Sequence, residues 1–203
     1  MRIGVFGGTF DPPHIGHLIL AMEAQDQLRL DKVLWVITPI SPFKHHIHIS
    51  PLEQRLELLE VALAGEAGFE ISRVDVDRPP PYYAVDTMRL LRNCFANAEW
   101  FYLMGEDSLG DLPGWHQPHL LLALCDGLGV MRRPGFAANL QELEKALPGV
   151  CDKVQFFDAP LIEISAHDIR HRISRGKPFR FFVPSAVYDR IIENKYYQED
   201  DHG

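Results

Sequence analysis

Gly7-Gly8-Thr9-Phe10-Asp11-Pro12-Pro13-His14-Ile15-Gly16-His17 connects a short apolar segment, residues 3–6, to a helical pattern that begins at residue 16. Glycines allow positive φ and close approach of the backbone, so a phosphate can lie against the N–H groups of Gly7 and Gly8 and the positive end of the following helix. The segment is neither a Walker A loop nor Gly-x-Gly-x-x-Gly. We therefore predict a phosphate-binding turn of another type between a first strand and a first helix.

His14 and His17 stand three residues apart at the start of that helix, a spacing that places both rings on one face. Imidazole N–H groups there can donate hydrogen bonds to phosphoryl oxygens as negative charge develops in a transition state. Two alternatives are open: the histidines only cap the helix, or they bind a metal ion with Asp11 as a third ligand. We favour phosphate binding, which makes both histidines candidate catalytic residues.

Apolar segments that are typical of strands alternate with segments whose apolar residues recur every three or four positions. The predicted strands span residues 3–6, 32–37, 70–74, 100–104, 127–131 and 154–157. The predicted helices span residues 16–28, 51–64 with Ser50 as N-cap, 85–95, 117–124 and 140–147. This alternation predicts a doubly wound α/β fold with a parallel sheet, whose ligands bind at the carboxyl ends of the strands.

The C-terminal part lacks a strand pattern. Residues 165–197 are helical in pattern, and we expect them to form a helical appendage that closes over the loops at the carboxyl ends of the strands. No linker or repeat divides the chain. We predict one domain over residues 1–203, with an α/β core over 1–160 and a C-terminal helical part over 161–203.

Composition limits the functional classes. With 46% hydrophobic and 24% charged residues, the 203-residue chain is globular, which excludes a disordered protein, a collagen and a coiled coil. The formal net charge of −8 argues against a nucleic acid polymer as partner, and the apolar segments are too short for a signal peptide or a membrane span. Cys94, Cys125 and Cys151 are odd in number and far apart, which favours reduced thiols and a cytoplasmic location.

Residues 7–17 resemble the signature of the nucleotidylyltransferase superfamily and, in this long form, that of bacterial nicotinate-mononucleotide adenylyltransferases. Other segments resemble this family in the same order along nearly the whole chain. They are Thr38-Pro39 through Pro42-Phe43-Lys44, the Ser-x-x-x-x-Arg of 50–55, the Tyr-Thr segment 83–87, the Gly-x-Asp…Trp element 105–115, Arg133-Pro134-Gly135, and the Ile-Ser…Ile-Arg of 164–170. The resemblance implies a Rossmann-like nucleotidylyltransferase fold.

The resemblance also implies a reaction, the transfer of AMP from ATP to the phosphate of nicotinate mononucleotide. The products would be deamido-NAD and pyrophosphate, and the partners ATP and a pyridine mononucleotide. Mg²⁺ would be bound by the substrate phosphates, and the protein itself would hold no metal ion. Because the attacking phosphate oxygen is already an anion, no protein nucleophile is needed, and catalysis depends on positioning and on donors and cations at the phosphates. A homo-oligomer is compatible with the sequence but not indicated by it.

The family motifs assign roles to individual residues of this chain. The implied catalytic residues are His14, His17, Lys44 and Arg170. The implied nucleotide-binding residues are Gly7, Gly8, Thr9, Phe10, Gly105, Asp107, Ile164 and Ser165, and the implied substrate-binding residues are Ala84, Thr87, Trp115 and Arg133. The chain departs from the pattern at Ala84, Ala166 and His167, where a hydroxyl is usual, and carries Glu106 at a variable position.

Some of these residues have a second interpretation. Asp107 can be the N-cap of a helix that starts at Ser108 rather than a ligand of ribose or metal. Trp115 can be a core residue rather than a ring face for the pyridine. The basic residues that follow Arg170 can be a solvated helix face, and the histidines beside Lys44 can be solvated loop residues; they are Arg172, Arg175 and Lys177, and His45, His46 and His48.

Other functions stay open at this point. One is the same chemistry with another acceptor, such as nicotinamide mononucleotide or phosphopantetheine, or a cytidylyl transfer. A second is a nucleotide-binding regulator without catalysis, suggested by Ala166 and His167. A third is a metal-dependent hydrolase built on the ten histidines.

Overall fold

The computed structural model describes residues 1–40, 49–95, 97–132, 138–160 and 162–198. Within these residues, six strands form one parallel sheet: β1 (Arg2–Gly8), β2 (Lys32–Ile37), β3 (Phe69–Ser72), β4 (Glu99–Gly105), β5 (Gly127–Met131) and β6 (Val154–Phe157). The strand order is β3-β2-β1-β4-β5-β6, and each neighbouring pair runs parallel. The predicted doubly wound α/β fold is therefore confirmed.

The helices cover both faces of this sheet: α1 (Ile15–Gln27), α2 (Leu52–Leu63), α3 (Ala84–Cys94), α4 (Glu106–Asp111), α5 (Pro118–Leu124), α6 (Leu140–Ala146), α7 (Ala166–Ser174) and α8 (Ser185–Asn194). Side chains of α1, α2, α7 and α8 pack in one apolar cluster, and side chains of α3 to α6 pack in a second. Successive strand residues alternate between the two, since Ile3 and Val5 belong to one cluster and Phe6 to the other.

The C-terminal helices α7 and α8 belong to the cluster of α1 and α2. Ile169 and Val187 are buried there together with Leu58 of α2 and Trp35 of β2. This shared core supports the prediction of one domain over 1–203. Its division into an α/β core over 1–160 and a helical part over 161–203 stays a prediction. No helix of the described ranges is long and apolar enough to cross a membrane. The three cysteines are free thiols.

The centre of the sheet is a topological switch point. From β1 the chain moves outward through β2 to β3, and it then returns to place β4 on the other side of β1. In open α/β sheets, ligands bind at the carboxyl ends of the strands where the order reverses in this way. The loops that follow β1 and β4 therefore border the expected binding crevice.

Most predicted bounds lie within two residues of the observed ones, and two differences have physical causes. Strand β3 is Phe69–Ser72 rather than 70–74, because it pairs with β2 only from Val33 to Val36. Helix α4 is not among the helices predicted from periodicity, since six residues are too few to show a 3.6-residue period, and only the N-cap interpretation of Asp107 anticipated a helix there.

Ser50 is not the N-cap of α2, contrary to prediction. Pro51 occupies that position, and no side chain caps the helix. Side chains of the site hold the main chain of Ser50 instead. Its N–H donates to Asp11 Oδ2 at 3.0 Å, and its carbonyl accepts from Arg55 Nε at 3.0 Å. Ser50 thus belongs to the loops around the crevice rather than to the helix start.

Candidate functional site

The loop after β1 uses its glycines differently from our expectation. Gly7 and Gly8 are the last residues of β1, and Gly8 pairs with Ile37, so their backbone is extended. The positive φ lies at Phe10, at 47°. A Cβ on Gly8 would lie 3.0 Å from the Phe10 ring. The lack of a Cβ at Gly8 therefore leaves room for the Phe10 ring, and Phe10 itself is the left-handed residue of this loop.

His14 and His17 form one stacked pair at the start of α1. Their ring centroids are 3.6 Å apart, with an interplanar angle of 21°. His14 occupies the N-cap position, and its N–H donates to Nδ1 of His17 at 3.2 Å. Because Nδ1 of His17 accepts this bond, Nε2 carries the proton of the neutral ring. His17 thus caps the helix start, and this bond is compatible with a second role at Nε2.

Neighbouring residues fix the orientation of this pair. The Phe10 ring meets His17 edge-on, with centroids 5.2 Å apart and an interplanar angle of 81°. On the other side, a Cβ on Gly16 would lie only 3.1 Å from Nδ1 of His14. The Gly-His dipeptide of the motif therefore has a packing reason, since Gly16 leaves room for the ring of His14.

We expect the buried ring of His14 to make the protein less stable in mild acid. Burial lowers the pKa of His14 from 6.5 to about 4, so the unfolded chain binds this proton below pH 6.5 while the folded protein binds it only near pH 4. The free energy of unfolding therefore falls as the pH falls from 6.5 to 4, by about 3 kcal/mol from this group. Urea denaturation at several pH values measures the slope.

Carboxylates also titrate in this range, and a variant separates their contribution. His14→Gln removes the titrating ring, so its stability should fall less steeply with acid than that of the wild type. His119→Gln removes an exposed imidazole from α5 and serves as the matched control with an unchanged slope. Identical slopes for the wild type and His14→Gln would contradict the expectation.

A cavity of about 530 Å³ opens beside the histidine pair, and we call it the histidine cavity. The first residues of both α1 and α7 border it, so two helix N-termini converge on one space. Their backbone N–H groups and partial positive charge favour an anion there. Its lining comprises Gly8, Thr9, Phe10, Asp11, His14, Gly16, His17, Leu20, Ile49, Met131, Ile162, Ile164, Ser165, Ala166, His167 and Arg170.

Arg170 brings a fixed positive charge to the histidine cavity. Its Nη1 donates to the main-chain carbonyl of Asp11 at 2.6 Å and lies 3.8 Å from Asp11 Oδ2. Ser165 is the N-cap of α7, and its hydroxyl oxygen accepts from the N–H of Asp168 at 3.0 Å. The Ile-Ser…Ile-Arg segment 164–170 thus supplies one cation, Arg170, and the start of α7 to the histidine cavity.

A second cavity of about 300 Å³ lies on the other side of β1, and we call it the tryptophan cavity. It is lined by Val5, Gly7, Gly8, Thr9, Val36, Thr38, Asp75, Tyr82, Tyr83, Ala84, Thr87, Tyr102, Ser108, Trp115 and His116. Trp115 is half-buried and meets Tyr102 edge-on at 5.9 Å, and Tyr83 stacks on His116 at 4.1 Å. The two cavities share Gly8 and Thr9, so they meet at the end of β1.

A buried polar cluster supports the tryptophan cavity, and sequence reasoning assigned only one of its members. The hydroxyl of Thr87 donates to Asp75 Oδ1 at 2.7 Å, and Nε and Nη2 of Arg78 donate to the same oxygen at 3.0 and 2.9 Å. Burial raises the pKa of Asp75, while Thr87 and Arg78 act in the opposite direction. The i,i+3 spacing of Asp75 and Arg78 is the one sequence signal for this cluster.

The sequence places Arg55 at the end of the Ser-x-x-x-x-Arg motif, and the structure shows which groups its side chain binds. The side chain is 1% exposed and donates to main-chain carbonyls on three segments. They are those of Thr9 at 2.8 Å, Thr38 at 3.0 Å, Pro39 at 2.8 Å and Ser50 at 3.0 Å. Arg55 therefore ties the loop after β1 to the loop after β2 and the start of α2.

The structure brings most predicted site residues to the two cavities but not all of them. Gly105 and Asp107 line neither cavity. Gly105 is the N-cap of α4 and Asp107 is the second residue of that helix, so the N-cap interpretation of Asp107 is wrong by two positions. Lys44 and Arg133 lie outside the described residues, as do the loop histidines His45, His46 and His48.

The basic segment after Arg170 is directed elsewhere. Arg172 donates to the carbonyl of Pro178 at 2.8 Å and lies over the ring of Phe182. Arg180 lies over the ring of Tyr188. Arg172, Arg175 and Lys177 line neither cavity, and the solvated-face interpretation stays a prediction. Among the residues that the structure covers, no three or more His, Cys, Asp or Glu side chains are grouped so as to hold a metal ion.

Comparison with known proteins gives consistent matches over nearly the whole chain. Residues 5–172 match the sequence profile of the family described as Cytidylyltransferase-like. A Thermomicrobium roseum protein named "Probable nicotinate-nucleotide adenylyltransferase" is 44% identical over 197 residues, which cover 97% of this chain and 92% of that protein. A Roseiflexus protein of the same name is 38% identical over 197 residues, covering 97% and 98%.

Solved structures give the same fold at lower identity. The nicotinic acid mononucleotide adenylyltransferase of Plasmodium falciparum complexed with NaAD aligns with a TM-score of 0.76 at 15% identity, over 97% of both chains. The complex of that protein with APC aligns with a TM-score of 0.75 at 16% identity, over 97% of this chain and 96% of the other.

Proposed function

The chain belongs to the nicotinate-nucleotide adenylyltransferases of the Cytidylyltransferase-like family, and from that premise we propose that it transfers AMP from ATP to nicotinate mononucleotide in the crevice between β1 and β4. The products are deamido-NAD and pyrophosphate. The observation that carries the proposal is the pair of cavities that meet at Gly8 and Thr9, because the reaction must place two nucleotides side by side.

Each cavity suits one substrate. The histidine cavity has two helix N-termini, the stacked histidines and Arg170, which suits the triphosphate of ATP. The tryptophan cavity has the ring of Trp115 and the start of α3 at Ala84, which suits a pyridine ring with a carboxylate. The roles of Ile164, Ser165 and the β1 loop as nucleotide contacts, and of Thr87 as a substrate contact, belong to the same proposal.

The chemistry follows from these donors. A phosphate oxygen of nicotinate mononucleotide attacks the α-phosphorus of ATP, the new P–O bond forms, and the bond to the β-phosphate oxygen breaks to release pyrophosphate. His14 and His17 stabilise charge on the transferring phosphoryl group, and Arg170 stabilises the leaving pyrophosphate. Lys44 has the same proposed role as Arg170, and Arg133 that of a substrate contact; both lie outside the described residues.

We further propose that Mg²⁺ enters on the ATP phosphates. The lining of the histidine cavity supports this, because Asp11, the one carboxylate among its described residues, already accepts hydrogen bonds from Ser50 and Tyr197. When bound, the ion neutralises charge on the β- and γ-phosphates. A cytoplasmic location stays a prediction that rests on the three free thiols.

We expect a preference for nicotinate over nicotinamide mononucleotide of about tenfold or more in kcat/KM. A carboxylate accepts hydrogen bonds from backbone N–H groups at Ala84 and after Trp115, whereas the amide would turn its own NH₂ toward these donors and leave a group unpaired, at a cost of about 1–3 kcal/mol. A product assay with ATP and each mononucleotide measures the ratio and tests the proposed function.

Both assays use saturating Mg²⁺ and ATP, so that only the acceptor differs. Equal kcat/KM for the two acceptors would show that the tryptophan cavity does not recognise the carboxylate. Absence of pyrophosphate release with either acceptor would contradict the enzyme and favour the nucleotide-binding regulator.

A further inference from the structure

The chain turns sharply after α8 and returns to the candidate site. Lys195 has φ 55° and Tyr197 has φ 61°, two left-handed residues that are not glycine. Such conformations are unfavourable for residues with a Cβ and persist where other contacts hold them. The turn places two consecutive tyrosines, Tyr196 and Tyr197, against two different carboxylates.

These two tyrosine hydroxyls make closely similar bonds in different places. Tyr196 donates to Glu57 Oε2 at 2.5 Å, where α2 meets α8 and Arg190 of α8 also pairs with Glu57. Tyr197 donates to Asp11 Oδ1 at 2.9 Å, in the loop after β1. Asp11 is 3% exposed and lines the histidine cavity, whereas Glu57 lines neither cavity.

Asp11 connects Tyr197 to the cation of the site. Its carboxylate accepts from Tyr197 at Oδ1 and from the N–H of Ser50 at Oδ2, and its main-chain carbonyl accepts from Nη1 of Arg170. Burial raises the pKa of Tyr197, and the negative charge of Asp11 raises it further. The phenol therefore stays protonated and keeps donating to the carboxylate.

We propose that Tyr197 is a positioning residue for adenylyl transfer, which holds the carboxylate of Asp11 so that Arg170 is presented to the phosphates of ATP. The proposal rests on the function proposed above. Tyr197 lines neither cavity, so its proposed effect runs through Asp11 and Arg170.

The hydroxyl matters because of what a buried carboxylate does without it. If Tyr197 cannot donate, Oδ1 of Asp11 loses one of its donors in a nearly dry environment. A cation stands close by, since Nη1 of Arg170 already lies 3.8 Å from Oδ2. If the carboxylate rotates toward Arg170, the two groups form a closer ion pair. The guanidinium of Arg170 then moves toward Asp11 and away from the histidine cavity. ATP binding is then weakened. Binding of nicotinate mononucleotide in the tryptophan cavity is not, because neither Asp11 nor Arg170 lines that cavity.

The test compares Tyr197→Phe with Tyr196→Phe, the matched loss of a hydroxyl one residue earlier. We expect Tyr197→Phe to weaken ATP binding, measured by calorimetry with MgATP, by about tenfold and to lower kcat, with KM for nicotinate mononucleotide within about twofold of the wild type. Tyr196→Phe should leave all three values within about twofold. Thermal melting of both variants reports how much of any change is loss of stability.

A coupling measurement identifies the route. In an Arg170→Ala background, Tyr197→Phe should weaken ATP binding no further, because the residue through which it acts is gone. A further tenfold loss there would overturn the route through Arg170. Unchanged ATP binding in Tyr197→Phe, or an equal loss for both substrates, would overturn the positioning role. ATP binding is measured by calorimetry without turnover. If the wild type failed to make deamido-NAD, the proposed function would be contradicted, but the effect of Tyr197→Phe on ATP binding could still be measured.

Discussion

The His17→Ala variant is expected to fold and to lose about 10²-fold or more in kcat, since removal of one donor to a developing negative charge costs roughly this much in comparable sites. The ring of His17 is held by Phe10 on one side and His14 on the other, with Nδ1 occupied by the N–H of His14. In the proposed mechanism, the held ring donates its Nε2 proton to a phosphoryl oxygen. Steady-state kinetics with ATP and nicotinate mononucleotide measure the loss.

Two further variants separate catalysis from helix capping. His17→Asn keeps an oxygen that can accept from the N–H of His14 but has no ring, so it should have the melting temperature of the wild type and the low kcat of His17→Ala. His14→Ala should lower kcat in a similar way, and the double variant should be less than additive because both rings serve one phosphate. Turnover of His17→Ala within twofold of the wild type, at unchanged stability, would refute the assignment.

Arg55→Met is expected to destabilise the protein by about 3–5 kcal/mol and to reduce turnover even below its melting temperature. Methionine fills much of the volume but removes the guanidinium donor from the part-buried main-chain carbonyls of Thr9, Thr38 and Pro39. These carbonyls belong to the loops that border both cavities. Urea denaturation gives the free energy of unfolding, and kinetics at low temperature give the turnover of the folded fraction.

Arg89→Met is the matched control, because Arg89 is an exposed residue of α3 paired with Asp86 three positions away. Its free energy of unfolding should stay within about 0.5 kcal/mol of the wild type. Arg55→Lys should recover little, since an ammonium group cannot reach all the carbonyls that the planar guanidinium serves. A loss below 1 kcal/mol in Arg55→Met would mean that the loops are held by other contacts.

Features with local patterns could be predicted from the sequence. The alternation of strands and helices gave the fold, because each element carries its own hydrophobic period. The histidine pair could be placed on one helix face from its spacing alone. Short or edge elements were less accessible, since α4 has six residues and β3 pairs along one side only.

Contacts between distant segments could not be predicted, because nothing in the local pattern records them. Arg55 lies in an amphipathic helix like other charged residues, and only the fold buries it against three loop carbonyls and that of Ser50. Ser50 is a favourable N-cap residue, yet the site loop engages its main chain instead. The left-handed φ of Phe10 was not predicted either. Here a local signal misled, since two adjacent glycines are the usual sign of a left-handed residue, and the structure has it at Phe10.

The bonds from Asp11 to Arg170 and Tyr197 span 159 and 186 positions of the chain. A ribosome adds about 5–20 residues per second, so roughly 10–40 s separate the synthesis of Asp11 from that of Tyr197. During this interval the nascent chain already carries the glycine loop and both histidines, and later the complete sheet. It lacks the cation that Asp11 orients and the phenol that holds Asp11. Under the proposed mechanism, adenylyl transfer therefore needs α7 and the segment after α8. A nascent chain that binds nucleotide before these are synthesised lacks the group proposed to stabilise the leaving pyrophosphate.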